Sequence, residues 1–365
     1  MNRHIKSILT IVAMGVTVVT VLLMWMTCIF GHISPAGFGW YGVVTLLFPI
    51  FAVANAVMLV FWCIFSRRYA IVPILGFLCC ISDVRAYCPV NFSQKPPKDC
   101  IKVMTYNVAN FDGTAEQSPE KRSIIDNIMS SKADIVCLQE GDYWATDWKD
   151  VEKRLRTRYK YMVVDGIDET PTTMRCFSRF PIIRDERLTF EGSTNASEAY
   201  YIRLPKGDTI LVLSCHLQSY CLTPAEVTNY ADIVSGRRSM EQRESKLEFL
   251  SLLRKLRSNN SKRAVQADSV HEFIRAHSQY PSIVCGDFND TPVSYTHRVM
   301  SRSLKDAYIS TGNGPGFSYF SHSMHVRIDN MLCSHHWTPY RARVENHMTG
   351  SDHYPMTAFF RLRNK

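Results

Sequence analysis

Two uncharged apolar runs, Ile8 to Phe30 and Tyr41 to Phe65, limit what the start of this 365-residue chain can become. A helix needs about 20 residues to cross a hydrocarbon core of roughly 30 Å, and each run is long enough. A third run, Tyr69 to Ser82, is shorter and contains Pro73 and Gly76, so a short tilted span, a re-entrant segment and an interfacial helix all fit it. Arg3 and Lys6 precede the first run, the loop from Gly31 to Trp40 carries no Lys or Arg, and Arg67 and Arg68 follow the second run. That asymmetry places the amino terminus inside. With three spans everything that follows lies outside, which in a bacterium is the periplasm; with two it lies in the cytoplasm. Three spans are expected, at about residues 8–30, 41–65 and 69–82 within a membrane segment 1–87. The chain then reads as an integral protein of a bacterial inner membrane with its soluble part on the periplasmic side. A cleaved signal peptide fits less well, because the first run is too long and a second follows it.

Charge is informative only once the membrane segment is set aside. Five of the 42 Lys and Arg and one of the 33 Asp and Glu fall in the first 89 residues, leaving 37 basic against 32 acidic groups. A mildly basic soluble part is compatible with a phosphate-bearing substrate and does not demand nucleic acid. Cys137, Cys215, Cys285 and Cys333 sit inside apolar runs, where a thiol behaves as a small hydrophobe. Cys88 with Cys100 is the best placed pair for a disulfide in an oxidising compartment. No paired CxxC and His spacing suited to zinc occurs.

The stretch 88–99, with Pro89, Lys95, Pro96 and Pro97, reads as a linker to a soluble domain 100–365. Strands are expected at 100–106, 161–164, 174–178, 200–204, 209–216, 282–286, 328–333 and 356–362, with another ending at Glu140. Ser118-Pro119-Glu120 is a helix start with a serine cap and proline in the first turn. A basic helix over roughly 239–257 sets Leu247, Leu250, Leu253 and Leu256 on a three-residue beat beside Arg243, Lys246, Arg254, Lys255 and Arg257. Such a helix could touch anionic lipid or nucleic acid, or simply present a solvated face. Many strands with fewer helices imply an α/β domain with a two-sheet core.

Several apolar runs end abruptly on polar groups. Met104-Thr-Tyr ends on Asn107, Ile135-Val-Cys-Leu-Gln on Glu140, Leu211-Val-Leu-Ser-Cys on His216 and Ile283-Val-Cys-Gly on Asp287-Phe-Asn289. Arg327-Ile-Asp329 and Ser351-Asp352-His353 complete the set. A buried strand favours Val, Ile, Leu and Cys, so repeated carboxylates, amides and imidazoles at strand ends point to one shared site. Glu140 is a hard-oxygen donor suited to magnesium. Asp287 and Asn289 are two apart and, on an extended chain, point to the same side. His216 and His353 titrate near neutrality, so two at one phosphate can divide proton removal and donation.

In this order the motifs resemble those of the endonuclease/exonuclease/phosphatase family, over about residues 100 to 362. The resemblance implies a DNase I-like four-layer sandwich of two β-sheets flanked by helices, here preceded by transmembrane helices. It implies Glu140 as the principal metal ligand, with Asn107 orienting metal or phosphate and Asp352 contributing directly or through water. Mg²⁺ is the implied cofactor, with Mn²⁺ as a substitute. Asp287 would position or activate water, Asn289 bind phosphate, Asp329 and His353 form an orienting pair, and His216 contact phosphate. Two positions depart from the family pattern: Ala109 stands where many nuclease members carry an acid, and Asn330 where an aromatic is common. Arg175 and Ser178-Arg179-Phe180-Pro181 resemble a strand-turn segment beside the site. The expected activity is hydrolysis of a phosphodiester or phosphomonoester, in nucleic acid or phospholipid. A retired scaffold on the same fold is the alternative, which the retention of all these residues disfavours.

Overall fold

Two six-stranded sheets lie face to face because their strands alternate or continue apolar residues toward a shared interior. The computed structural model describes residues 3–113, 119–141, 148–164, 173–223, 225–226, 228, 232, 243–321 and 324–363. The first sheet takes the order β13-β14-β1-β2-β4-β3, from β1 (Ile101–Asn107), β2 (Ile135–Gln139), β3 (Tyr161–Val164), β4 (Arg175–Ser178), β13 (Trp337–Val344) and β14 (Met356–Leu362). The second takes the order β5-β6-β7-β8-β12-β9. Its strands are β5 (Ile182–Thr189), β6 (Ala196–Arg203), β7 (Thr209–His216), β8 (Ser282–Asp287), β9 (Lys305–Asp306) and β12 (Asp329–Cys333). A separate hairpin pairs β10 (Tyr319–Ser321) with β11 (Met324–Val326).

Between the sheets lies a core that includes Val103, Ile135, Tyr200, Val212, Ile283, Met331 and Phe360. Outside the first sheet, α6 (Pro119–Ser131) buries Ile124, Ile125 and Ile128, and α7 (Trp148–Arg156) buries Leu155. Outside the second, α8 (Arg243–Ala276) and α9 (Tyr295–Met300) bury Ala264, Ala267, Val270 and Val299. The result is the four-layer sandwich that the motif order implies. The serine expected to cap α6, Ser118, lies outside the described residues.

Ahead of the sandwich, α1 (Arg3–Phe30) packs with α2 (Trp40–Thr45), α3 (Phe48–Phe65) and α4 (Ile71–Cys79), and α5 (Ile81–Tyr87) packs on α4. Two helical stretches, Ser7–Phe30 and Trp40–Phe65, are long and apolar enough to cross a membrane. The pair formed by Arg67–Cys79 and Ile81–Tyr87 passes the same test together but bends by 70° at Cys80. Several polar donors inside this bundle find internal partners, as an apolar surrounding favours. Trp62 Nε1 donates to Thr17 Oγ1 at 2.8 Å, Trp25 Nε1 to the Gly76 carbonyl at 3.0 Å, and Asn55 Nδ2 to the Pro73 carbonyl at 3.2 Å.

The bundle is docked on the sandwich. Val293, a few residues past the end of β8, packs among Met24, Cys28, Phe48 and Cys80. Arg298 pairs with Asp83, Arg327 Nη2 donates to the Ala86 carbonyl, and Ser261 Oγ donates to the Pro35 carbonyl at 2.8 Å. Asn91 Nδ2 donates to the Gly312 carbonyl at 2.6 Å. The expected Cys88–Cys100 bridge is corrected: both thiols are free. Cys88 stays with Asn91 beside the helix Ala307–Thr311, while Cys100 leads into β1.

Candidate active site

Strand register assembles the site. β1 and β2 run parallel with Asn107 beside Gln139, so Glu140 emerges one residue beyond. β7 and β8 also run parallel, with His216 beside Asp287. β12 returns antiparallel to β8 and sets Asp329 opposite Asp287. A backbone bridge from Tyr319 to His353, and the Phe320 N–H to the Asp352 carbonyl at 2.9 Å, bring in the last pair.

Tight backbone turns the side chains inward. Glu140 (φ 50°) and Asn289 (φ 54°) are left-handed, a conformation that non-glycine residues adopt at some cost. The extended-chain expectation for Asp287 and Asn289 is therefore corrected: they converge through a turn in which the Asn289 N–H donates to Asp287 Oδ1 at 2.8 Å. Gly286, at φ +130°, lies where a Cβ would fall 2.0 Å from the Cys215 carbonyl oxygen, which lets β7 and β8 close up one residue before His216 and Asp287.

Asp287 occupies the centre. Its Oδ2 lies 3.1 Å from Asn107 Nδ2, 3.8 Å from His353 Nε2 and 4.0 Å from His216 Nε2. Asn107 Nδ2 also donates to Glu140 Oε1 at 3.0 Å, and its Oδ1 accepts from the Ala109 N–H at 3.1 Å. Glu140 Oε1 is 3.4 Å from His216 Nε2, and the Glu140 side chain is 32% exposed, far more open than Asp287 at 2%. His353 Nδ1 lies 2.8 Å from Asp329 Oδ2. A carboxylate only accepts, so Nδ1 carries the proton and Nε2 faces Asp287.

Burial and neighbouring charge separate these groups. Burial pushes the Asp287 carboxyl up to about 7, with the Asp329 charge adding to it and His353 opposing. Burial alone would lower His353, but Asp329 and Asp287, with Asp352, outweigh it and hold the imidazolium up to about 10. His216 is lowered, chiefly by burial, with Glu140 opposing. Burial, reinforced by Glu140, raises Asp352. The site thus pairs one imidazole kept charged with one kept neutral.

Four carboxylates, from Glu140, Asp287, Asp329 and Asp352, converge on this cleft against one imidazolium. Such a set is under-compensated, and its hard oxygens fit a divalent cation of the magnesium type. Asp287, Asp329 and His353 also place ligand atoms within 4.8 Å of one another. A cation held there would break the 2.8 Å bond between His353 and Asp329, so the open carboxylate of Glu140, with Asp352, is the better seat. Asn107 joins it only with its amide turned, because Nδ2 now faces both carboxylates. Both ring nitrogens of His216 are buried without a hydrogen-bond partner among the described residues, as expected of a group that awaits an anionic ligand.

All eight residues singled out in the sequence lie around this cleft. Asn289 differs in what it touches: its Nδ2 donates to the Leu217 carbonyl at 2.9 Å, tying the turn after β8 to the loop after β7. Arg175 lies beside the site, its Nε donating to the Gly141 carbonyl at 2.5 Å. Three contributors escaped the sequence. Tyr319 packs its ring 4.9 Å from the His353 imidazole, and Ser318 Oγ accepts from the Ile328 and Asp329 N–H groups. Buried Arg263 donates to the Gln218 carbonyl and pairs with Asp290 at 3.3 Å. None stands at the end of an apolar run, the signal that marks Asn107, Glu140, His216 and Asp287.

Residues 104–353 match the profile of the Endonuclease/Exonuclease/phosphatase family, and residues 7–87 match that of a domain of unknown function. No curated protein matches the sequence. The human Nocturnin catalytic domain, solved with a bound sulfate anion, is 17% identical with a TM-score of 0.51, covering 74% of this chain and 97% of that one. An endonuclease/exonuclease/phosphatase family protein of Bacteroides thetaiotaomicron is 17% identical with a TM-score of 0.49, covering 74% of this chain and 100% of its own. The mannosyl-6-phosphatase Bt3783 of the same organism is 16% identical with a TM-score of 0.47, covering 72% and 100%. With its motifs matched over most of the soluble part and its two sheets packed in the same way, the chain belongs to the endonuclease/exonuclease/phosphatase family.

Proposed function

We propose that this chain is a membrane-anchored phosphohydrolase that uses Mg²⁺, with Mn²⁺ as a substitute, to direct water at a phosphodiester or phosphomonoester. Glu140 and Asp352, with a turned Asn107, would hold the cation. When bound it would polarise a phosphoryl oxygen and offset charge that builds during in-line attack. Asp287, raised into the neutral range by burial, accepts a proton from the attacking water. His353, kept protonated by Asp329, donates toward the phosphate, and neutral His216 offers a second hydrogen bond there. Asn289 positions Asp287 through its backbone N–H. The observation that carries this reading is the place of Asp287, buried between two imidazoles and one amide away from Glu140.

Three membrane crossings are part of the proposal, with the soluble domain 100–365 outside and 88–99 as its linker. Residues of the Gly31–Trp40 loop and residues of the Ala86–Asn91 segment touch the same domain. These contacts support a return of the chain, between Phe65 and Ala86, to the side where α1 ends. The bent pair at Cys80 would make that crossing, with Arg67 and Arg68 inside beside Arg3 and Lys6. A reporter fused after Lys365 that is active only in an oxidising compartment is expected to be active, and an inactive one would refute the third crossing.

The test of activity is the full chain with Mg²⁺ against plasmid DNA, RNA, phosphoinositides and sphingomyelin, with Glu140→Gln and His353→Ala as controls. Hydrolysis of one class, lost in both variants, is expected. No hydrolysis of any, or hydrolysis indifferent to both changes, would leave a retired scaffold as the better reading.

A further inference from the structure

The basic leucine-bearing helix forms an outer layer of the sandwich, and its outward face carries apolar residues as well as cations. Within α8, Leu247 and Leu250 are 56% and 46% exposed, and Val265 further along is 55% exposed. At 100° per residue, Leu247, Leu250, Arg254, Arg257 and Val265 all lie within roughly 40° of Ser261, and Lys246 within about 60°. This is the face that meets the membrane bundle. Ser261 Oγ donates to the Pro35 carbonyl, and a Cβ on Gly39 would lie 2.0 Å from the Arg257 carbonyl oxygen. Ile33 and Phe38, on the same loop, are exposed as well. The arc that carries the exposed leucines and cations is thus continuous with the contact between α8 and the outer end of the bundle. Between Lys246 and Lys262 no carboxylate shares it, because the one acid there, Glu248, falls on the opposite side of the helix; acids return to the arc only past Val265, at Asp268 and Glu272.

We infer that α8 lies on the bilayer surface, with Leu247, Leu250 and Val265 entering the interface and Lys246, Arg254 and Arg257 binding anionic phospholipid headgroups. The inference rests on the proposed membrane anchoring and goes beyond it, because spans alone do not bring α8 into contact with headgroups. Apolar residues on one helix face with cations beside them are the pattern of an interfacial helix. The opposite face of the same helix holds the active-site loops. Arg263 Nε donates to the Gln218 carbonyl at 2.7 Å and the Gln218 N–H to Gln266 Oε1 at 2.7 Å, two residues after His216. Arg263 also pairs with Asp290, next to Asn289. One helix therefore fixes the height of the catalytic cleft above the headgroups. A continuous span at most about 3.6 Å per residue limits Asn289 to about 14 Å from Val293, which is buried in the bundle. A phosphoester at the level of the headgroups is within reach of such a cleft.

The test uses the full chain in lipid nanodiscs of phosphatidylcholine, with or without about one third phosphatidylglycerol. Leu250→Trp, with Leu247→Trp as a second probe, is compared with Ile183→Trp on the edge strand β5, using lipid brominated in the acyl chains. The added emission of the α8 probes is expected to be quenched at least about threefold more than that of the β5 probe, and more strongly with the anionic lipid. Lys246→Glu, Arg254→Glu and Arg257→Glu together should abolish the dependence on anionic lipid. Equal quenching of α8 and β5 probes in a chain that has entered the discs overturns the inference while leaving the anchoring intact. Failure to enter discs at all overturns both. Equal quenching combined with salt-sensitive capture of single-stranded DNA, lost in the triple variant, would assign the face to nucleic acid instead.

Discussion

His353 is held between two aspartates, its Nδ1 2.8 Å from Asp329 and its Nε2 3.8 Å from Asp287. Asp329 is the stronger of the two in keeping the ring charged, and this gives the pair a measurable signature. The imidazolium persists below about 10 and is lost as pH rises through that value. With Asp329→Asn the leading support goes, so the alkaline limb of the kcat/KM profile should move toward neutrality. The optimum rate should fall by about 10² to 10⁴, the span of a general acid or base. A pH–rate profile on a phosphoester that the chain hydrolyses checks both. An alkaline limb that stays in place would show that another group sets it.

Asp287 gives a second pH dependence with its own sign. Its carboxyl, raised to about 7 by burial, binds a proton below that pH and is charged above it. A cation held beside it at Glu140 and Asp352 favours its charged form. Affinity for Mg²⁺ should therefore rise with pH below 7 and level off above, with a fraction of a proton released at pH 6. Calorimetry in buffers of different ionisation enthalpy measures the release. Asp287→Asn should abolish it, whereas Glu140→Gln should weaken binding and preserve the fold, since that side chain is one-third open to solvent.

The close approach of β7 and β8 supports a stability prediction. Gly286→Ala adds a Cβ about where the Cys215 carbonyl oxygen sits, at a φ that alanine resists. Overpacking and backbone strain of this kind each cost about 1–3 kcal/mol. The variant should unfold at clearly lower temperature, and the cleft should loosen, because Cys215 and Gly286 each precede a site residue. Thermal unfolding with and without Mg²⁺ checks it.

How far the sequence could be read depended on how local the signal was. Glu140, His216 and Asp287 were legible because each interrupts an apolar run, and the run itself locates the strand. β13 was missed because Pro339 sits inside it, which is tolerated only because β13 is an edge strand. β5 was missed because Arg184, Asp185, Glu186 and Arg187 make it polar, again at an edge. Two helical regions were expected between His216 and Ser282, the first ending near Arg257, yet α8 runs on through Asn259, Asn260 and Ser261, which are weak helix formers. Their side chains instead hold it in place: Asn259 Nδ2 donates to the Tyr220 carbonyl and Ser261 to Pro35, contacts that no local rule contains. Asn289 was read as extended, and only the fold reveals its left-handed turn.

Docking itself can be broken with one atom. At Gly39 a Cβ would fall 2.0 Å from a backbone oxygen of α8, and at Gly42 2.6 Å from the Asn260 side chain. Backbone cannot move aside as a side chain can, so Gly39→Ala should disturb the contact more than Gly42→Ala. If the contact sets how the cleft meets its substrate, Gly39→Ala should leave turnover of a small soluble phosphoester within about twofold, because it touches none of the groups that would act on phosphate. Hydrolysis of a phosphoester embedded in a bilayer should fall much further. Limited proteolysis of residues 88–99, which lie between the bundle and β1, should accelerate in parallel. Equal losses on both substrates would mean that the contact supports the fold rather than the presentation of the cleft.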